Sequence, residues 1–378
     1  MAGIPKKRKT KHQKNVIMRI VLRIAAIVAA AVVLIVLYLA LFTDTFSPKS
    51  KLTEVDIPKD AKITATAQNL YYFSGKTLTS VERNGKVAWQ SKFEGENLKI
   101  AASENLICIY NEHLATVLDS QKNILYTIPA SGFTFCEAQC GNNSIALLCT
   151  LQDTENMEYI RVFDLTGTEI YRATNDDINT LNFGLSGAND NLWMLTLDTT
   201  GVEPISRISL SSPAQNALTG TVEISDQLVS DIYFFDTDMY VSGTNSLTQY
   251  DTFGNKGTST LVYGLKCIDA AYSGNDYTLL YVQRDTENAS NAVAMRILAK
   301  NSTGETDSFL QMPEEAISIH ASTSHVFCFL KDSVRIYELT GEFIEEQEMD
   351  FDIVSTKKIT ANEVLLYTED EVYIMNLS

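Results

Sequence analysis

The most regular feature of this chain is a series of short apolar runs separated by polar turns. Eight runs of nearly continuous apolar residues recur, at positions 70–73, 106–110, 145–149, 192–195, 239–241, 279–282, 326–330 and 364–367. Short runs of this kind, rich in aromatic and branched residues and bounded by turn residues, are typical of strands that are buried on both faces. The pattern therefore predicts an all-β fold in which sheets pack against one another.

A second recurring feature is a turn in which an acidic or amide residue is followed three positions later by Gly. Segments 159–170 and 333–344 show it most clearly, with an alternating strand before the turn and another after it. An Asp or Asn side chain caps such a turn, and Gly accepts the positive φ angle that the turn needs. Related turns occur at 82–85, 119–122, 251–254 and 301–304, with a degenerate one near 210–212.

These turns repeat with a fixed period. Asp164, Asp251 and Glu338 follow one another at intervals of 87 residues, which is twice a unit of about 43. Turns with Asn and small residues precede four of the apolar runs, so each unit contains four strands. We therefore predict a β-propeller of eight four-stranded antiparallel blades over residues 52–378. Seven blades and a parallel β-solenoid are the alternatives, although solenoid repeats are shorter and lack hairpins.

The two ends of the repeat region predict how the ring closes. The eighth unit stops at Asn376, before its outermost strand. Residues 52–57 form an alternating strand that has no turn partner of its own. An open blade would leave an unpaired edge, which folded proteins avoid. We therefore expect residues 52–57 to supply the missing strand and to pair with residues 372–375.

The N-terminal region is different in character. Residues 24–42 are 19 residues without a charge, which as a helix span about 28 Å, enough for a bilayer core. Eight basic residues precede them: Lys6, Lys7, Arg8, Lys9, Lys11, Lys14, Arg19 and Arg23. By the positive-inside rule, this predicts a cytosolic tail (1–23), a single-pass transmembrane signal-anchor (24–42), a linker (43–51) and an extracytoplasmic propeller at the cell membrane.

Two other interpretations of the N-terminal region fit the sequence less well. A cleaved signal peptide has an apolar region of about 7–15 residues and a small-residue cleavage site, whereas here the run is longer and ends in Leu41-Phe42-Thr43-Asp44. The run Lys6–Lys9 also fits a nuclear-localisation or nucleic-acid patch, but its position before an apolar segment favours a topology signal.

The repeat resembles a known class of propellers. The strand–acid-x-x-Gly–strand unit is similar to the quinoprotein (PQQ-like) repeat and, more loosely, to WD-repeat blades, over about residues 50–378. The overall plan resembles an uncharacterised family of bacterial membrane-anchored propellers, a domain of unknown function. Quinoprotein dehydrogenases hold their cofactor with Ca²⁺, an Asp base and stacked Trp or vicinal Cys. This chain has no adjacent Cys pair and only Trp89 and Trp193. The resemblance therefore implies the fold alone, and no cofactor is predicted.

Charge and cysteine content narrow the range of partners. After the eight N-terminal cations, 22 basic residues remain against 47 acidic ones, a balance of −25. Such a domain repels nucleic acid and anionic lipid head groups. Six cysteines would face an oxidising compartment. Cys136 and Cys140 are close enough in sequence to pair if a turn separates them, and buried free thiols are the simpler expectation for most of the six.

Catalytic and metal signatures are sparse. No nucleophile elbow, P-loop or HExxH motif occurs, and His113, His320 and His325 lack ligand-like spacing, although the last two flank an expected inner turn. Three acidic loops join the two middle strands of their blades and should share one rim. Their carboxylates could hold Ca²⁺, although a solvated rim is the simpler interpretation. The candidate ligands are Asp153, Glu155, Asp198, Asp285 and Glu287.

The function that fits this sequence best is a non-enzymatic binding scaffold at the cell envelope. Its expected partners are the lipid bilayer, through residues 24–42, and an envelope protein or cell-wall ligand, but not nucleic acid. The alternatives are a quinone-cofactor oxidoreductase or a hydrolytic enzyme, which would require converging groups with shifted pKa values. A third alternative is an extracellular ligand sensor, but the short tail has no recognisable output domain.

Overall fold

The propeller is built from hairpins that follow one another along the chain. The structure, a computed structural model, describes residues 52–151, 157–176, 179–235, 238–285 and 294–377. Within these ranges, 32 strands form eight sheets of four antiparallel strands. First strands of neighbouring sheets contact one another at six of the eight junctions, and apolar clusters join sheets 4 and 5 and sheets 5 and 6, so the sheets are blades about a common axis. The predicted eight-bladed propeller is confirmed, and neither seven blades nor a linear solenoid fits.

The chain opens with β1 (Leu52–Val55), which belongs to blade 8. Blade 1 consists of β2 (Thr64–Ala65), β3 (Asn69–Ser74), β4 (Thr77–Glu82) and β5 (Val87–Lys92). Blade 2 consists of β6 (Lys99–Ala102), β7 (Leu106–Tyr110), β8 (Leu114–Asp119) and β9 (Ile124–Pro129). Blade 3 consists of β10 (Phe133–Cys140), β11 (Ser144–Leu151), β12 (Met157–Asp164) and β13 (Glu169–Asp176). Blade 4 consists of β14 (Asn179–Ser186), β15 (Asn191–Asp198), β16 (Ile205–Ser212) and β17 (Ala217–Ile224).

The second half of the ring repeats this plan. Blade 5 consists of β18 (Val229–Phe235), β19 (Asp238–Gly243), β20 (Ser246–Tyr250) and β21 (Lys256–Leu261). Blade 6 consists of β22 (Leu265–Ser273), β23 (Asp276–Gln283), β24 (Ala294–Asn301) and β25 (Gly304–Gln311). Blade 7 consists of β26 (Ser318–Ala321), β27 (His325–Phe329), β28 (Ser333–Glu338) and β29 (Phe343–Glu348). Blade 8 consists of β30 (Ser355–Thr360), β31 (Glu363–Tyr367), β32 (Val372–Asn376) and β1.

Ring closure follows the sequence prediction. β1 pairs antiparallel with β32, from Leu52 opposite Met375 to Val55 opposite Val372. Val55 is only 3% exposed, because it packs in one apolar cluster with Leu70 of blade 1 and Val372 of blade 8. The N-terminal strand is therefore both a sheet partner and a core element, and the prediction that residues 52–57 complete blade 8 is confirmed. The pairing itself ends at Val55.

The eight apolar runs are the second strands of the blades, and they are the most buried. All five residues of β7 are buried, and its two faces pack in different clusters, one shared with blade 3 and the other with blade 1. The outermost strands instead alternate between exposed and half-buried residues, as in β29. Burial on both faces explains why the second strands have no alternation in sequence.

Strand direction gives the disc two distinct faces. The turns between first and second strands and between third and fourth strands lie on one face, which we call the entry face. Leu52 lies there, because it is opposite Met375 near the end of β32. The turns between second and third strands, and the loops that join consecutive blades, lie on the opposite face, which we call the far face.

The acid-x-x-Gly turns are confirmed as the links between third and fourth strands. Asp164 Oδ1 accepts hydrogen bonds from the N–H groups of Thr166 and Thr168, and Gly167 has a φ of 79°. The degenerate turn of blade 4 differs from the prediction in position. It is a 3₁₀ turn, Pro213–Gln215, followed by Asn216 with a φ of 49°. Asn tolerates this left-handed conformation better than most side chains, so the blade closes without glycine.

The cysteines do not form the disulfide that sequence proximity permitted. All six are free thiols. Cys136 and Cys140 lie on the same strand, β10, with no turn between them. Four residues of a strand span roughly 13 Å, whereas a disulfide needs Cα atoms less than about 7 Å apart. The condition on which the pairing depended is therefore not met.

The tail, the predicted membrane helix at residues 24–42 and the linker lie outside the described residues. Within the described part of the chain, no helix combines the length and hydropathy needed to cross a bilayer.

Candidate functional site

A cluster of charged and polar side chains joins the first strands of blades 6, 7 and 8. Asp269 lies on β22, His320 on β26 and Lys358 on β30. A β-bulge adjoins Asp269 on one strand and Lys358 on the other. Bulges redirect side chains relative to a regular strand. The three side chains are between 11% and 14% exposed, so the cluster is nearly withdrawn from water.

The Lys358 ammonium group has all three of its protons engaged. It donates to Asp269 Oδ2 at 2.7 Å, to the Ala270 carbonyl at 3.0 Å and to the Ala321 carbonyl at 2.7 Å. Asp269 Oδ2 also accepts the Ala321 N–H at 2.7 Å. One lysine thus connects three consecutive blades. Because none of its protons is free, this group is suited to holding the blades together rather than to proton transfer.

The electrostatics of the pair agree with this structural role. Burial alone would raise the pKa of the Asp269 carboxyl, but the facing His320 ring and the Lys358 ammonium group lower it, and the net pKa is below the usual range. Burial lowers the pKa of Lys358, and the Asp269 charge opposes that decrease. The carboxylate therefore stays ionised in the interior at neutral pH because a cation faces it.

His320 lies between the carboxylate and a hydroxyl pair. Its Nε2 atom is 2.8 Å from Thr356 Oγ1, which is itself 2.5 Å from Ser318 Oγ. Its Nδ1 atom is buried without a hydrogen-bond partner and lies 3.6 Å from Asp269 Oδ2, too far for a hydrogen bond. The order is carboxylate, imidazole, hydroxyl, which is the order found in Ser-His-Asp hydrolases.

The predicted histidine pair is separated by the structure. His320 and His325 do flank the turn between β26 and β27, as expected. However, His325 Nδ1 lies 2.9 Å from Ser324 Oγ on the turn itself, whereas His320 faces Asp269 and Thr356. The two rings have different partners and do not form one site.

Two neighbouring clefts open on the far face, beside the seam where β1 closes the ring. The larger has a volume of about 760 Å³ and lies between blades 1 and 2. Its wall includes Lys62, from the loop after β1, and Lys99, from β6. The smaller has a volume of about 580 Å³, lies between blades 8 and 1, and includes Thr356 in its wall. Ala61 lines both clefts, so they are adjacent.

Of the predicted calcium ligands, Asp198 ends the second strand of blade 4 and Asp285 follows the second strand of blade 6, so both lie on the far face. Asp153, Glu155 and Glu287 lie outside the described residues, and Asp285 is exposed. Asp198 Oδ1 accepts hydrogen bonds from the N–H and hydroxyl of Thr200 in its own turn. Among the residues that the structure describes, no group of three or more His, Cys, Asp or Glu could hold a metal. Calcium binding by these loops stays a prediction.

The sequence patterns identified neither Asp269 nor Lys358. The two residues are 89 positions apart along the chain, on the first strands of blades 6 and 8. The available signal was a single carboxylate within the apolar segment Leu265–Ser273. A charged residue at such a position requires a buried partner, but nothing local indicates which residue that is.

The fold has many structural relatives at low sequence identity. The WD40 domain of SCAP from fission yeast matches 87% of this chain and 98% of that chain, with a TM-score of 0.59 and 8% identity. The Dos1 propeller matches 88% and 97%, with a TM-score of 0.53 and 10% identity. Quinohemoprotein alcohol dehydrogenase ADHIIG from Pseudomonas putida HK5 matches 87% and 75%, with a TM-score of 0.51 and 7% identity. At these identities, the similarities show the propeller fold alone.

Sequence comparison identifies the protein family to which the chain belongs. A search of curated proteins finds no match. Residues 44–377, however, match a family over almost the whole chain. This protein therefore belongs to the family of unknown function DUF5711.

Proposed function

We propose that this protein is a binding scaffold of the cell envelope, anchored by residues 24–42 and presenting its propeller outside the membrane. The far-face clefts are its binding surface. This proposal is supported by the positions of the first described strand and of the clefts, which lie on opposite faces of the propeller. Leu52, where the chain enters, lies on the entry face, whereas the clefts lie on the opposite face. A scaffold tethered through its entry face keeps its far face accessible to partners.

The polar cluster of blades 6 to 8 supports a rigid scaffold. Lys358 and Asp269 fasten three blades through groups that are already bonded to one another. Loops held on such a framework lose little conformational freedom when they bind a partner. Binding residues are often found on loops that a rigid scaffold positions, as are the loops that line these clefts.

Site-specific photo-crosslinking in the native membrane tests this proposal. A photoreactive amino acid at Asn97, on the rim of the larger cleft, should yield a discrete adduct. The matched position is Asn84, in an exposed turn on the entry face. Adducts at position 97 but not at 84 support a far-face binding surface. No adduct at 97, or equal adducts at both positions, would refute it. A membrane-impermeant label on an introduced cysteine at position 84 tests extracytoplasmic placement in the same cells.

A second candidate function, ester hydrolysis, has one observation in its favour. Thr356 lines the smaller cleft and contacts His320 Nε2, with Asp269 behind the ring. In the corresponding reaction, Thr356 Oγ1 attacks the ester carbonyl carbon and its proton passes to His320. The leaving alcohol then takes that proton, and water releases the acyl group from Thr356.

An active-site-directed probe separates the two functions. A fluorophosphonate should label Thr356, and labelling should be lost in both Thr356→Val and His320→Gln if hydrolysis takes place here. The matched control is Thr53→Val, because Thr53 is a half-buried threonine on β1, another strand of blade 8, and is not part of the described lining of either cleft. Absence of labelling in the folded wild-type protein would reject hydrolysis and leave the scaffold as the sole proposal.

A further inference from the structure

The larger far-face cleft has a charge opposite to that of the domain around it. The propeller region, residues 52–378, has 20 basic and 46 acidic residues, and its average field repels anions. Nevertheless, Lys62 and Lys99 both line this cleft, and Asp60 is the only acidic residue in its described wall. The adjoining cleft contributes Lys59 and Lys357, with Glu369 as its acidic residue.

These lysines are not neutralised by ion pairs. Of the carboxylates that the structure describes, none lies within 4.0 Å of the ammonium groups of Lys59, Lys62, Lys99 or Lys357. Several other cations of the propeller are paired, as Arg161 is with Glu169 and Arg296 with Asp307. The two adjoining clefts therefore bring together four lysines whose charges are not offset by an ion pair to a described carboxylate.

Lys99 is also held in position. Its Nζ atom donates to the Cys136 carbonyl at 3.1 Å and lies 5.8 Å from the centre of the Tyr110 ring. Burial raises the pKa of Tyr110 to about 12, so the phenol adds no negative charge to the cleft at neutral pH. One ammonium group of the wall is thus fixed, with two protons left for a ligand.

The lining indicates the class of ligand. The described wall of the larger cleft contains lysine but no arginine. Lysine binds phosphate as a point charge, whereas planar carboxylates are typically held by the two-pronged arginine side chain. Phe73 and Leu98 add apolar surface beside the lysines, and a volume of about 760 Å³ suits a small molecule. The surrounding negative charge disfavours long polyanions.

We propose that the cleft between blades 1 and 2 binds a small phosphate ester that carries a ring. Lys62 and Lys99 contact the phosphate, and Phe73 and Leu98 contact the ring. This inference rests on the far-face binding surface proposed above and names the chemistry that this surface recognises. The ligand lies at the mouth of this cleft, on the far face of the propeller.

Titration of the full-length protein in detergent tests the proposal with phenyl phosphate and inorganic pyrophosphate as probes. Both should bind saturably at about 50 mM salt, and binding should weaken as salt rises. The double variant Lys62→Gln with Lys99→Gln should lower the affinity by about tenfold or more. The matched control, Lys86→Gln with Lys256→Gln, removes two exposed lysines elsewhere and should change affinity less than about twofold.

Any of the following results would overturn the proposal. No binding of either probe up to about 10 mM, or equal loss in both double variants, means that the cleft is not a phosphate site. If long-chain polyphosphate binds through the same lysines much more tightly than pyrophosphate, the ligand is a polyanion and the small-molecule assignment is wrong. Circular dichroism of each variant confirms folding. The titration requires no partner protein. If it shows no phosphate binding, the crosslinking experiment at Asn97 still tests the scaffold proposal independently.

Discussion

Gly85 of blade 1 lies directly against the main-chain oxygen of Glu54, on the strand that closes blade 8. A Cβ atom at position 85 would overlap that oxygen. The same contact recurs around the ring: a Cβ on Gly341 would lie 2.6 Å from the Phe309 oxygen, and one on Gly167 would lie 2.9 Å from the Tyr126 ring. In blades 1, 3 and 7, the glycine of the acid-x-x-Gly turn therefore both shapes its turn and brings it against the outer strand of the preceding blade.

This contact predicts that Gly85→Ala destabilises the seam. Gly85 has a φ of 82°, so alanine introduces backbone strain and also overlaps Glu54; together these should cost about 3 kcal/mol or more. Gly132→Ala is the matched control, because Gly132 has a φ of 90° with open space around it and should lose only about 1 kcal/mol. Urea unfolding measures both. Equal losses would show that the contact with Glu54 is unimportant.

The register of closure predicts a new disulfide. Glu54 and Tyr373 are directly opposite each other on β1 and β32. Cysteines at both positions should oxidise and join the two ends of the propeller, which in the loop-entropy description stabilises the fold by up to about 6 kcal/mol. Non-reducing electrophoresis and thermal unfolding detect the link. The control pair, Asp56→Cys with Tyr373→Cys, lies outside the register and should stay reduced; oxidation of the control alone would contradict the pairing.

The hydrogen bonds of Asp190 predict a second link between blades, which can be detected in the free energy of unfolding. It is 4% exposed, and its carboxylate accepts hydrogen bonds from the N–H groups of Asn142 and Asn143, each at 2.6 Å, and from Ser144 Oγ at 3.0 Å. Asp190→Asn replaces one acceptor oxygen with a donor and should cost about 2–3 kcal/mol. Asp164→Asn, at an exposed turn, should cost about 1 kcal/mol or less. Chemical denaturation of both variants decides whether the link contributes to stability.

The lowered pKa of Asp269 predicts a dependence of stability on pH. The unfolded carboxyl takes up its proton near pH 4, whereas the folded one does so only at lower pH. The pair therefore stabilises the fold above about pH 4, and this contribution is lost as pH falls below that value. Asp269→Asn should flatten the slope of unfolding free energy against pH between about 5 and 3.

The control for that measurement is Asp350→Asn, which removes an exposed carboxylate. Its slope should match that of the wild-type protein. Because Asp269→Asn also leaves Lys358 without its counter-charge, the overall loss of stability says little, and the slope is the informative quantity. An unchanged slope in Asp269→Asn would mean that the pair does not govern acid unfolding.

The environment of Cys140 predicts that its thiol is alkylated slowly in the folded protein. Its Sγ atom lies 3.3 Å from the Ala101 carbonyl and packs against the apolar cluster that contains Cys108. Burial raises its pKa to about 12, so little thiolate exists at neutral pH. Cys140 should stay unmodified when the folded protein is treated with an alkylating reagent at pH 7.5, and should react in urea. Mass spectrometry identifies the modified positions, and rapid alkylation of the folded protein would contradict this burial.

The sequence alone determined the repeating part of this protein. Strand number, blade count and the closing role of residues 52–57 could be predicted because they depend on local patterns: apolar runs for strands buried on both faces, and turn residues with a defined φ preference. The degenerate turn of blade 4 was misplaced by a few residues, because Pro213 and Asn216 form a turn without the usual glycine.

Only the tertiary structure decided which polar groups meet. Asp269 and Lys358 are 89 residues apart, and Lys62 and Lys99 come from a loop and a strand of different blades. No short-range sequence pattern predicts these contacts. They depend on the angle between neighbouring blades around the propeller axis and on bulges that redirect single side chains. Periodic hydrogen bonding and burial are local properties of the chain, whereas the convergence of charges depends on closure of the whole ring.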